Sequence, residues 1–257
     1  MKKLIFFLLV TSLCIGQVKD DFFYDVTRGD NLKNENYINT YSVFDFSNLW
    51  IKTENQNVFG IFGKNYERLK IKIISVKKNE KNNNEYFVIG KSNLNGIISD
   101  FSGSIIITEI REVKEISYGV DDEFKDKGVK TQGLLIGNYE FYETKNQKNI
   151  GIFKGNVYSK WYLTLENKIL YDNISTASDS YTNNAFIGVW ETLSGKEKKL
   201  CIWSDYRIPN LKNDFDIGAG MFSPNEKYYD KGWKNYADAW FNQDKSAIEK
   251  ELEEWWK

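Results

Sequence analysis

Leu69-Lys70-Ile71-Lys72-Ile73 alternates an apolar with a cationic residue at every step. An extended backbone sends the three aliphatic side chains to one side and the two ammonium groups to the other. Such a segment is stable as a strand with one face in a core and one in water. Working outward, Tyr86-Phe87-Val88-Ile89 and Ile105-Ile106-Ile107 are rich in β-branched and aromatic residues and are bounded by the turn formers Asn82-Asn83-Asn84 and Asn95-Gly96. The second half continues with Tyr139-Glu140-Phe141-Tyr142, Ile150-Gly151-Ile152-Phe153, Trp161-Tyr162-Leu163-Thr164-Leu165, Phe186-Ile187-Gly188-Val189-Trp190 and Leu200-Cys201-Ile202-Trp203.

No proline precedes Pro209, so nothing earlier forbids a central strand. The pattern predicts a mainly β chain, an antiparallel barrel or sandwich of about ten to twelve strands with a C-terminal helical segment. Residues 53–65 laid on 144–156 agree at seven of thirteen positions, including Gly60-Ile61-Phe62 with Gly151-Ile152-Phe153. On that reading the chain holds two duplicated β-units, 17–117 behind a weakly ordered lead-in and 131–209, joined by the polar stretch Asp121–Gly128. Residues 210–257 form an irregular loop and helices on the second unit. There Ile248, Leu252, Trp255 and Trp256 share one helical face over 246–256, with Ser246 to Glu249 in capping-box form. A second helical stretch is expected over 226–242, weakened by Gly232.

The chain opens Met1-Lys2-Lys3 followed by the apolar run Leu4–Val10, the form of a secretory signal too short to span a bilayer. Cleavage after Gly16 makes 1–16 a signal peptide and implies export to the periplasm or outside the cell. Lipid attachment at Cys14 is less favoured, because Leu13 is not the small residue such sites need. Processing removes two of the 35 basic and none of the 36 acidic residues, leaving a net charge of about −3. That balance argues against a nucleic-acid partner. No later stretch reads as a transmembrane segment.

The chain contains no histidine. This excludes Ser-His-Asp and Cys-His nucleophile activation and every imidazole-bound zinc site. Cys201 alone can supply neither a disulfide nor a thiolate cluster. The acidic runs Asp121–Asp126 and Asp214–Asp216 lack the spacing of a calcium loop, so no metal and no cofactor is expected. Any catalysis left must use carboxylates, Lys, Tyr or an oxygen-bound metal, and for a carboxylate-driven hydrolase Asp205, Asp216 and Glu191 are the candidates.

The least strand-like segment is Trp203–Gly220. On a continued strand Asp205 and Arg207 face one side, where they pair or jointly grip a polar ligand. Asp216 follows beside Gly218 and Gly220. Trp203 and Trp233, next to this segment, are the rings to examine for exposure, so the candidate binding residues are Trp203, Asp205, Arg207, Asp216 and Trp233. The competing reading is an ion pair that pins a long loop.

Gly90-Lys91-Ser92, Phe101-Ser102-Gly103, Asp205-Tyr206-Arg207-Ile208-Pro209 and Asp216-Ile217-Gly218-Ala219-Gly220 together resemble a group of uncharacterised exported bacterial β-proteins. The resemblance implies a similar fold and export and carries no activity to any residue. At the level of architecture the chain is similar to lipocalin-like (calycin-like) barrels, which end in a helix and hold small ligands. The function expected is a non-enzymatic module that binds a small molecule, a glycan or an envelope protein, with a carboxylate-dependent, glycosidase-like hydrolase as the alternative.

Overall fold

A computed structural model describes residues 32–144, 150–209, 211 and 214–257. The signal-peptide, cleavage and Cys14 readings, and the lead-in as far as residue 31, lie outside the described residues. Nine strands occur among them: β1 Val58–Phe62, β2 Glu67–Lys78, β3 Glu85–Leu94, β4 Ile97–Glu112, β5 Val129–Glu143, β6 Gly151–Thr164, β7 Ile169–Tyr171, β8 Asn183–Thr192 and β9 Lys198–Asp205. Eight of them, all but β7, run as an antiparallel meander in chain order, and β9 pairs back onto β1 to close a barrel. Gly60 marks the closure, opposite Leu69 on one side and Trp203 on the other. Closure removes the open edges that a flat sheet would present.

The nine strands among the described residues are fewer than the ten to twelve expected. The separate runs at 150–153 and 161–165 both contribute to the 14-residue β6, in which Gly155 lies opposite both Tyr139 and Gly188. The elements do not confirm the proposed repeat. Residues 58–73 form β1, a turn and part of β2, whereas 151–164 form one strand, and strands from both halves enclose a single interior. The polar stretch at Asp121–Gly128 does connect the halves, as the link from β4 to β5.

Alternate side chains of every barrel strand fill the interior. Leu69, Ile71, Ile73, Tyr86, Val88, Phe101, Phe141, Phe153, Trp161, Phe186 and Trp203 are all buried there. Ring packs on ring: Phe186 stacks on Trp203 at 4.7 Å and Phe101 on Phe141 at 5.2 Å. The interior is therefore a packed core, as the narrow bore of eight strands dictates.

One end is plugged by the chain that precedes β1. Helix α1, Ile38–Tyr41, and the short turns Ser47–Trp50 and Asn55–Asn57 carry Tyr41, Phe46, Leu49 and Trp50 into the opening. Tyr41 packs on Trp161 at 4.7 Å, and Trp50 Nε1 donates to Ser159 Oγ at 2.9 Å. Lys78 Nζ donates to the Ser42 and Phe44 carbonyls, tying the plug to the end of β2.

The C-terminal segment covers part of the barrel's outside. Phe59 and Ile61 of β1, Ala185 and Ile187 of β8 and Ile202 of β9 are buried against Phe215, Phe222, Trp233 and Tyr236. Strands covered on both faces read as continuous apolar runs, and those open to water on one face alternate. Helix α2, Lys234–Trp240, is separated from the turn at Glu226–Lys231 by Gly232, whose φ of 94° ends that turn. Helix α3, Lys245–Leu252, is capped by Asp244, whose side chain accepts from the Ala247 N–H, so the expected Ser246 capping box does not form. Its buried residues are Ala247 and Glu251, while Leu252 is 51% exposed, so the face in contact differs from the apolar stripe. No helix among the described residues is long and apolar enough to cross a membrane.

Candidate functional site

At the other end the strand termini surround a mouth that, among the described residues, holds a cavity of 180 Å³. Its walls are Phe62, Leu69, Leu94, Ile97, Phe153 and Trp190, and its polar groups are Ser92, Ser99, Glu143 and Lys199. Glu143 Oε2 accepts from Trp190 Nε1 at 2.8 Å and from the Gly151 N–H at 2.9 Å, while among the described residues Oε1 accepts only from Ser92 Oγ, at 3.3 Å. A carboxylate oxygen has two lone-pair directions, so Oε1 retains capacity for a further donor. Gly151 lets this cluster form: a Cβ there would lie 2.3 Å from the Trp190 ring. Lys199 Nζ lies 5.4 Å from the Phe62 ring centroid and 5.9 Å from that of Trp190. Among the described residues no carboxylate pairs with this ammonium group. The mouth is thus an apolar cup with one anchored carboxylate and one cation at its rim.

The plugged end carries a different arrangement. Asp205 Oδ2 accepts from Thr53 Oγ1 at 2.7 Å, Asn184 Nδ2 at 2.8 Å and Tyr171 OH at 3.0 Å. The three donors come from the plug, β8 and β7, so one carboxyl group ties three elements to β9. Among the described residues no cation pairs with it. Burial pushes its pKa from the ordinary 3.8 up to about 7, against the pull of the three hydrogen bonds. A cavity of 30 Å³ beside it, bordered by Trp50, Asn184 and Trp203, has room for about one or two waters. Outside this lies a wider cleft of 880 Å³ between the plug and β7, lined by Ile51, Thr53, Asn57, Leu170, Tyr171 and Tyr206 among others.

Of the five candidate binding residues, the structure brings Trp203 and Asp205 together beside the small cavity and pairs Arg207 with Asp216 elsewhere. Asp205 and Arg207 do not pair. Strand β9 ends at Asp205, and Tyr206 turns the chain with φ of 65°, which sends the next side chain elsewhere. Arg207 Nε instead donates to Asp216 Oδ2 at 2.6 Å, and its other nitrogens reach Ser180 Oγ and the Gly218 carbonyl. This is the loop-pinning ion pair. Trp203 and Trp233 are 2% and 0% exposed, so neither ring is presented to a partner, and Trp233 Nε1 donates to the Tyr66 carbonyl under the outer helices.

The three carboxylates considered for hydrolysis are dispersed. Asp205 lies inside the plugged end, Asp216 with Arg207 in the outer loop, and Glu191 with Lys154 at 3.1 Å on the barrel's flank. Among the described residues no cluster of three or more acids and cysteines suits a metal ion. Glu143 and Lys199 escaped the sequence reading because each is a lone charge in a strand pattern. Only closure of the barrel brings β5 and β9 termini to one mouth. Comparison of the chain with protein-family models, with curated protein sequences and with solved structures returns no match in any of the three.

Proposed function

We propose that this is an exported binding protein whose open barrel mouth holds a small amphipathic molecule, acting by binding rather than turnover. The observation that carries the reading is the 180 Å³ apolar cup with Glu143 fixed at its side and one lone pair left to offer. A dry cavity of about 150 Å³ accepts benzene, so a single ring with a short polar substituent suits this one. The ring packs among Phe62, Phe153 and Trp190, and a hydroxyl or amino group donates to Glu143. The plugged far end and the trailing helices are in keeping with the lipocalin-like architecture, an analogy of form. The missing histidine and the scattered carboxylates favour binding over hydrolysis.

At roughly 0.5 kcal/mol per heavy atom, a ligand of about eight atoms gains about 4 kcal/mol, a Kd on the order of 1 mM. Calorimetric titration with benzyl alcohol, phenol, indole and toluene tests this. The donor-bearing compounds should bind with Kd on the order of 1 mM and toluene more weakly, and Leu94→Trp, which fills the cup, should abolish all four. Absence of binding at several millimolar, or binding indifferent to Leu94→Trp, overturns the reading. For export, the first residue of the protein recovered outside the cytoplasm should be Gln17.

A further inference from the structure

Strand β7 stands outside the closed ring of strands and, among the described residues, pairs only with β6, through Trp161–Tyr171, Tyr162–Leu170 and Leu163–Ile169. Two flanking bonds set the phase of this ladder: the Thr164 N–H donates to the Lys168 carbonyl at 3.0 Å and the Asp172 N–H to the Lys160 carbonyl at 3.2 Å. Residues 168, 170 and 172 therefore turn their backbone groups toward β6. In an antiparallel ladder the intervening residues point theirs the opposite way. The N–H and C=O groups of Ile169 and Tyr171 face outward, and among the described residues none of the four has a backbone partner. They border the 880 Å³ cleft, whose far wall is the plug segment around Ile51 and Asn57.

We propose that this cleft docks an extended polypeptide segment, which adds to β7 as a further strand through the backbone groups of Ile169 and Tyr171. The occupant follows from the hydrogen-bonding groups on offer. Two donors and two acceptors alternate along an edge at the strand repeat of about 3.4 Å per residue, an array that another peptide backbone answers in register. A sugar presents hydroxyls without that alternation. The cleft also supplies apolar contact for an incoming side chain, because Leu170 and Ile51 are each 39% exposed there. Lys52 and Glu54 on the plug wall carry opposite charges, so the cleft imposes no net charge on its partner. The site lies at the opposite end of the barrel from the mouth and does not depend on the small-molecule reading.

The test uses the full chain and acetylated, amidated pentapeptides that alternate threonine with valine, leucine, phenylalanine or lysine. Binding is followed by amide chemical shifts, with chitotetraose as a sugar control. Members of the set should shift the Ile169, Leu170 and Tyr171 amides. A peptide N-methylated along one edge keeps its other edge and should still bind, while the fully N-methylated peptide, with no donors left, should lose at least tenfold. The proposal fails if no member shifts these amides, if full N-methylation leaves affinity unchanged, or if chitotetraose rather than peptide shifts them. Because the discriminating change is made in the peptide, a folding defect in the protein cannot mimic the result.

Discussion

Asp205 is a carboxyl group buried without a cation, and its effect on stability has a definite sign. Its folded pKa of about 7 lies above the ordinary 3.8, so the folded state holds the proton more tightly than the unfolded chain does. Its contribution is most favourable below pH 4 and is lost as pH rises through about 7. Asp205→Asn preserves the acceptor for Thr53, Tyr171 and Asn184 and removes the charge. Urea unfolding should therefore find the variant gaining on the parent by about 4 kcal/mol between pH 4 and pH 8. Equal pH dependence in the two proteins would show that Asp205 is not charged at a cost. At the mouth the decisive residue is Gly151: alanine there would meet Trp190 at 2.3 Å and the Glu191 carbonyl at 2.6 Å. Gly151→Ala should displace the indole from Glu143 and weaken ligand binding at least tenfold, read by titration, while leaving the plugged end unchanged.

Helix α3 shows where periodicity misleads an element-scale reading. Ile248, Leu252, Trp255 and Trp256 make the apolar stripe, yet the helix docks through Glu251, which takes a bidentate grip from Arg68 at 2.5 and 2.8 Å. Arg68 lies on the outer face of β2, 5.2 Å from the Trp233 ring, and its buried charge requires an anion. Burial alone would raise the Glu251 pKa, but Arg68, with Lys70 and Asn235, more than offsets it and holds the carboxyl below its ordinary value. Glu251→Ala should cost about 3–5 kcal/mol by stranding Arg68. The double change Arg68→Met with Glu251→Leu should recover most of that loss in thermal unfolding, because the pair is worth little against a packed apolar replacement. The strands were more legible: the period-two alternation of β2 follows from one wet and one dry face, and the unbroken apolar runs of β8 and β9 follow from burial on both. Long strands interrupted by glycine, such as β6, were not, since Gly155-Asn156 has turn chemistry at a position where β8 needs close approach.

At the scale of the molecule, the mainly β class was written in the alternation, but the choice of a closed barrel over a sandwich was not. Pairing Phe59 with Ser204 and Phe62 with Cys201 joins residues far apart in the chain, and no local pattern encodes it. That closure makes both halves one interior, so calorimetry should record a single cooperative transition, whereas two independent β-units would melt in two. The same closure creates the mouth from residues that look unremarkable in sequence, Ser92, Glu143 and Lys199 among them. The plug was not legible: its aromatics, Tyr41 to Trp50, carry no sequence sign of where they insert. The most direct measurement is the set of intermolecular nuclear Overhauser contacts between bound benzyl alcohol and the protein. Contacts from the ligand ring to Phe62, Phe153 and Trp190, lost in Leu94→Trp, are the predicted result; contacts confined to residues away from the mouth, or none at a saturating concentration, would contradict it.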